Sequence, residues 1–215
     1  MHIPSAFSVT DSVRLQDFIR KHSFAILASM DDAEDRAPIA THLPLLLECD
    51  DGKPSRLLGH VAKGNPQWRQ ADQRKVLAIF SGPHAYVSAA WYGEKNVVPT
   101  WNYVAVHVTG RLRIEQDPEK LMSLVQKTVF FYEREAINPW SMETSDGEYQ
   151  KNLLGGIVGF EIVIESIEGC WKLNQHHSES RRNGALAGLR QRNIGDDLEI
   201  ARLMAEAYEI PQSQI

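Results

Sequence analysis

The 215-residue sequence predicts a mainly-β fold: an antiparallel barrel with helical additions and a helical tail. Three observations predict it. About six apolar or alternating segments have strand length. The helical segments are inserted between them rather than alternating one for one, which argues against a doubly wound parallel sheet. One strand, "PTWNYVAVHVTG" (99–110), carries no formal charge on either face, so both faces are expected to be covered.

The elements follow in order. Thr10 stands where an N-cap belongs, ahead of "DSVRLQDFIRKH", in which Val13, Phe18 and Ile19 fall on one helical face. "FAILASM" (24–30) reads as a buried strand ending in the acidic turn "DDAED" (31–35). "PIATHLPLLLE" (38–48) follows as one strand with Ile39, Thr41, Leu43, Leu45 and Leu47 on one side, and leaves through the hairpin-like turn "CDDGKPS". Next come "RLLGHVAKG" (56–64), "KVLAIFSGPHAYVS" (75–88) and the 99–110 strand, continued through "RLRIE". Gly82 and Pro83 should bulge or break the 75–88 strand, because Pro cannot donate to a ladder and Gly weakens it. Asp117 and Pro118 form an N-cap and first-turn pair for "PEKLMSLVQKTVFFYERE", which packs through Leu121, Leu124, Val125 and Val129. "IVGFEIVIESIEGCWKL" (157–173) alternates as the sixth strand. From Ser178 onward two short helices are separated near Asn193 to Asp196. Residues 1–175 read as one domain, with 176–215 a helical C-terminal extension packed on it.

Composition narrows the function. A hydrophobic content of 43% and a charged content of 24% match a soluble globular protein. No apolar run approaches the ~18 residues of a membrane span. "MHIPSAFSV" does not read as a signal peptide, so the cytoplasm is the default location. The net charge of -5 gives no global help to nucleic-acid binding. Cys49 and Cys170 lie far apart and form no CxxC, so neither a disulfide framework nor a structural metal is expected. His42, His60, His84 and His107 lie in or beside strands without HxH or HExxH spacing. The adjacent His176 and His177 would point in different directions on a helix or strand, so no metal site is expected. Neither a nucleophile elbow nor a Gly-rich dinucleotide turn is present.

Three stretches carry candidate chemistry. In "GHVAKGNPQW" (59–68), Asn65 and Pro66 start a helix, Lys63 arrives just ahead of it, and Gly64 permits close backbone approach. A cation beside free helix N–H groups suits a phosphate, although a solvated lysine on a capped surface helix accounts for the same residues. In "IFSGPHAY", the Gly82–Pro83 irregularity is either a barrel corner or an opening that gives a flat ligand access to backbone amides beside Ser81 and His84. In the 99–110 strand, Asn102, Val104, Val106 and Val108 form a core face, and Trp101, Tyr103, Ala105, His107 and Thr109 form an uncharged opposite face.

Together "ATHLP" (40–44), "GHVAKGNPQW", "IFSGPHAYVS", "WY" (91–92), "VPTWNYVAVHVTG" and "GFEIVIESIEG" (159–169), in this order, resemble the PaiB family of flavin-binding split-barrel proteins, described as negative transcriptional regulators. The resemblance runs from about residue 1 to 175. It implies a six-stranded split barrel, FMN as cofactor, and a homodimer with cofactor sites at the subunit interface. On this basis His60, Lys63 and Asn65 would hold the FMN phosphate, and Thr41 and His42 would line the pocket. Trp91 and Trp101 would meet the flavin from the partner chain. The Trp101, Tyr103 and His107 face would be covered by flavin and a second subunit; burial under the chain's own helices is the alternative.

The resemblance leaves three functions open. A flavin-binding regulator would need flavin-dependent states that differ toward a DNA or protein partner. Arg181, Arg182, Arg190 and Arg192 form the best local basic patch for DNA, and equally read as a solvated helix face. A flavin oxidoreductase needs few dedicated side chains, because the cofactor carries the chemistry. Haem binding would use His84, His107 or the His176–His177 pair as axial ligands.

Overall fold

The computed structural model describes residues 1–30, 37–142 and 146–209. The "DDAED" turn and residues 210–215 of the tail lie outside them. The strands are β1 (Ser8–Val9), β2 (Phe24–Ser29), β3 (Ile39–Pro44), β4 (Leu46–Asp50), β5 (Lys53–Ala62), β6 (Lys75–Val87), β7 (Thr100–Glu115) and β8 (Ile157–Lys172). The helices are α1 (Ser12–Lys21), α2 (Gln67–Ala71), α3 (Pro118–Glu133), α4 (Gly147–Leu154), α5 (Glu179–Arg192) and α6 (Asp197–Glu209).

Eight strands, rather than the six expected, form one sheet in the order β3-β2-β6-β7-β8-β5-β4, with β1 on β8. The β2–β3, β2–β6, β4–β5 and β5–β8 pairings are antiparallel. Among the described residues no pairing joins β3 to β4, so the expected barrel is not closed. The extra strands have two causes. β1 has only two residues, pairing Ser8 with Cys170 and Val9 with Gly169, too few to show a period. The 38–48 segment divides at Pro44, which has no N–H for a ladder. Leu45 donates instead to the Ser23 carbonyl at 2.8 Å. Leu45 and Leu46 are both buried, which resets the alternation. β3 then pairs β2 while β4 pairs β5. The β4–β5 turn is as expected: Asp51 (φ 51°) and Gly52 (φ 75°) form a two-residue hairpin of the I′ type.

The chain folds as two compact units. The first comprises Met1–Phe18, Phe80–His107 and Glu168–Ile215, with a core that includes Val87, Val104, Val106, Trp171, Leu189 and Met204. The second comprises Ile19–Ile79 and Val108–Ile167, with a core that includes Leu27, Leu45, Leu57, Leu112, Phe160 and Ile162.

Local rules explain most of the elements, and the structure corrects two of them, α1 and β6. α1 begins at Ser12 and is capped by Asp11, not Thr10: the Asp11 carboxylate accepts the Arg14 N–H at 2.7 Å. Its buried stripe is therefore Leu15, Phe18 and Ile19, while Val13 is 66% exposed. β6 is continuous through Gly82 and Pro83, so the chain does not break there. The buried positions nevertheless switch from Val76, Ala78 and Phe80 to Pro83, Ala85 and Val87, the phase change that one extra residue produces. Gly82 is needed for close approach, since a Cβ there would lie 2.7 Å from the Phe18 ring and 3.1 Å from the Val104 carbonyl. β2 pairs with β6 only over Leu77–Ile79, so the missing Pro83 donor interrupts no bond to β2.

Asp117 caps α3 by accepting the Glu119 and Lys120 N–H groups at 3.0 Å, and Leu121 and Leu124 are buried. Ser178 caps α5, which ends at Asn193 in the left-handed region (φ 45°), so the two tail helices separate where expected. In β7 the Asn102–Val104–Val106–Val108 face is buried, whereas Trp101 on the opposite face is 54% exposed. Among the described residues no helix is long and apolar enough to cross a membrane.

Candidate functional site

In the second unit, the end of β5 turns into α2 through Lys63, Gly64, Asn65 and Pro66. Asn65 donates its N–H to the Ala62 carbonyl at 2.9 Å, and its side-chain oxygen accepts the Gln67 N–H at 2.9 Å. Asn65 therefore satisfies the first N–H of the five-residue α2 from one position further out than expected, with Pro66 in the N-cap place. The Asn65 Nδ2 donates to the Thr41 hydroxyl at 2.9 Å, and that hydroxyl donates to Gln67 Oε1 at 2.5 Å. Gln67 Nε2 is shared among the Leu27 carbonyl and Ser29 hydroxyl at 3.0 Å and the Ile39 carbonyl at 3.3 Å. Buried Gln67 thus ties α2 to β2 and β3. Sequence reasoning missed it, since nothing in "NPQW" marks the glutamine as inward. The Thr41 proton is committed to Gln67, so Thr41 acts first as a fastener of this corner.

Lys63 differs from its neighbours. Its N–H is held by the Gly156 carbonyl at 2.8 Å, and its carbonyl accepts the Trp68 indole N–H at 3.1 Å. Its ammonium has no partner among the described residues. Lys63 and Trp68 line a cleft of about 430 Å³ together with Glu115, Leu121, Leu154 and Ile157. Glu115 accepts from the Lys120 ammonium at 3.0 Å. The Asp117 N–H and that lysine hold its carboxyl below the usual range. Half-buried His60 is held below the ordinary imidazole value by burial and is neutral near pH 7. His42 is exposed, with its ring stacked 6.3 Å from Phe24.

In the first unit, the rings of His84 and Tyr86 lie 6.0 Å and 5.8 Å from that of Trp101. Ser81 and His84 are exposed on β6, and the His84 N–H donates to Asp196 at 3.1 Å. Tyr103 is half-buried; the Cys170 thiol 3.5 Å away and burial push it up to about 12. Burial also lowers His107. Trp91 is engaged within its own chain, against Gly184 and Gly188 of α5, with the Arg192 guanidinium 4.9 Å from its ring. Three of the four tail arginines are likewise committed. Arg181 pairs with Glu94 at 2.6 Å, Arg192 with Asp197 at 2.6 Å, and Arg182 lies over the Tyr208 ring. His176 and His177 sit in the turn after β8 rather than on a regular element, so their rings approach to 4.1 Å instead of diverging. Among the described residues no three His, Cys, Asp or Glu side chains form a metal-ligating group.

A mainly antiparallel sheet in this strand order with inserted helices is the fold of the split-barrel class. The chain belongs to the family whose model is described as "Putative FMN-binding domain", which matches residues 1–166. It is 36% identical over 210 residues to "Protease synthase and sporulation protein PAI 2" of Bacillus subtilis (strain 168), covering 96% of this chain and 97% of that protein. The PaiB resemblance is thereby established. Two solved structures share the fold. The flavocytochrome Anf3 from Azotobacter vinelandii has a TM-score of 0.57 at 13% identity, covering 79% of this chain and 72% of its own. The FAD and heme binding protein from Mycobacterium smegmatis has a TM-score of 0.52 at 13% identity, covering 77% and 73%. At such identities the likeness concerns the fold alone.

Proposed function

We propose that the protein binds FMN and serves as a PaiB-type regulator, with the FMN phosphate at the Lys63 corner. The observation that carries this reading is the contrast within Lys63 itself. Its backbone is fixed on both sides while its ammonium is uncommitted, so a phosphate gains a charge-assisted bond without displacing an internal partner. Trp68, Leu121 and Ile157 supply apolar surface in the same cleft. A homodimer completes the reading, since the Trp101, Tyr86 and His84 face offers aromatic surface to a flavin or a second subunit. The acidic net charge and the engaged tail arginines favour a protein over DNA as the regulated partner. Regulation then requires that flavin-bound and flavin-free forms differ in affinity for that partner.

The test is an equilibrium titration of the purified protein with FMN, followed by flavin fluorescence, with riboflavin in parallel. Saturable binding that favours FMN is expected. Lys63→Ala should weaken FMN by about tenfold, ~1.4 kcal/mol, and riboflavin far less. Equal losses for both ligands would remove Lys63 from the phosphate site. Absence of flavin binding by the folded protein, with saturable haem uptake instead, would replace the reading. NADPH-dependent turnover with added FMN would turn the regulator into an oxidoreductase.

A further inference from the structure

The first unit contains a second cleft, of about 350 Å³, that the flavin reading does not use. Its apolar lining residues include Phe7, Val97, Val98 and Pro99. Its polar lining residues include Lys172, Arg181, His176 and His177. Among the described residues no carboxylate lines it, although Glu94 holds Arg181. Of its two permanent cations, Arg181 is ion-paired with Glu94, whereas Lys172 has no carboxylate partner among the described residues.

These donors are held in place. Lys172 Nζ donates to the Thr100 hydroxyl at 2.7 Å, which fixes the ammonium and leaves two of its three protons free. Arg181 is braced from behind by Glu94, which takes Nε and Nη2 at 3.1 and 2.6 Å. Its Nη1 lies 3.5 Å from His177 Nδ1. A guanidinium can only donate, so Nδ1 of the neutral ring is the acceptor and the His177 proton sits on Nε2. His177 rests against Tyr92 with ring centroids 5.3 Å apart, and His176 is braced edge-on by Phe7 at 5.3 Å. Burial and the neighbouring cations keep both imidazoles below their ordinary value. They are neutral hydrogen-bonding groups rather than further charges.

We propose that this cleft binds a small organic anion, a carboxylate or phosphate monoester on an aromatic or branched apolar body, with the anionic group on Lys172 and Arg181 and the body against Phe7, Val97 and Pro99. Lys172 and the ion-paired Arg181 set the charge requirement, and the apolar lining residues favour an organic anion over an inorganic one. The site shares no residue with the Lys63 corner.

Calorimetric titration of the full chain with phenyl phosphate, benzoate, benzamide and inorganic phosphate tests it. Saturable binding of phenyl phosphate or benzoate is expected, and whichever is tighter identifies the anion class. Benzamide, isosteric with benzoate but uncharged, should bind at least about tenfold more weakly. Lys172→Gln should reduce the anion's affinity by about tenfold, ~1.4 kcal/mol, while Lys63→Ala leaves it unchanged. Val98 lines the cleft yet is 76% exposed, so Val98→Glu adds a repelling carboxylate without disturbing the core, whatever becomes of the Lys172 variant. Failure of both aromatic anions to saturate, equal binding of benzamide, indifference to Val98→Glu, or loss of binding in Lys63→Ala overturns the proposal.

Discussion

Two basic regions of this molecule look alike in sequence and differ in how their charges are spent. At the Lys63 corner a single cation stands on a rigid backbone with its ammonium uncommitted. Along α5, Arg181, Arg182 and Arg192 are occupied by Glu94, the Tyr208 ring and Asp197. Arg190 is the one of the four that is exposed without such a partner among the described residues. Arg182 and Arg192 are therefore structural, whereas Lys63 keeps its whole ammonium for a ligand and Arg181, with Nε and Nη2 on Glu94, keeps only part of its guanidinium, and the deciding quantity is what each charge already touches.

Breaking the helix side of this comparison should have the largest effect. Arg192 grips the buried Asp197 carboxylate through two bonds and also donates to the Tyr86 carbonyl at 2.8 Å. Asp197→Ala should cost about 3 kcal/mol in urea unfolding, because it leaves a partly buried guanidinium without its carboxylate. A cost below ~1 kcal/mol would show that the pair is not structural. The pH dependence follows from the same contact. The Arg192 hydrogen bond holds the Asp197 carboxyl below its usual range. Its stabilisation is complete above the unfolded carboxylate value of about 3.9 and is lost as pH falls through the lower folded value. The acid limb of a stability–pH curve should therefore be shallower in Asp197→Asn than in the parent.

Next in size is the seat of Trp91. A Cβ on Gly184 would lie 2.0 Å from the Trp91 carbonyl oxygen, a backbone atom that no rotamer change can move. Gly184→Ala should destabilise by about 2–3 kcal/mol, measured by thermal unfolding. Lys63→Ala sharpens the comparison from the other side: unfolding stability within about 0.5 kcal/mol of the parent, although FMN affinity falls. If it unfolds the protein, its ammonium has an internal role. Arg190→Ala should have the smallest effect, within about 0.5 kcal/mol, by the same denaturation measurement.

Much of the fold was legible because its signals are local. The alternation in 99–110, the Asp117–Pro118 cap, the Asp51–Gly52 hairpin and the separation of the tail helices near Asn193 depend on neighbours within a few residues, and all are present. What was illegible depends on distant partners. The division at Pro44 requires knowing that β4 will pair with β5, and the continuity of β6 requires the Phe18 ring to lie on Gly82. The candidate site divides in the same way. Asn65 as a cap was readable, whereas Gln67 as the buried fastener was not, because its acceptors lie some 28 to 40 residues away. His176 and His177 were misjudged because the turn that holds them is set by Asn174 at φ 64°.

The two partners of β5 arrive on very different schedules. β4 reaches it through the two-residue turn at Asp51 and Gly52, whereas the pairing of Arg56 with Val163 waits for about a hundred further residues. A nascent chain can therefore complete the β4–β5 hairpin early and then hold one edge of β5 unpaired until β8 is made. Such an edge invites pairing with another chain. Lys53, Pro54 and Arg56 stand at its start. Two charges and a missing N–H donor guard the hairpin through that interval, before Arg56 meets Glu161 of β8 at 3.6 Å in the finished protein.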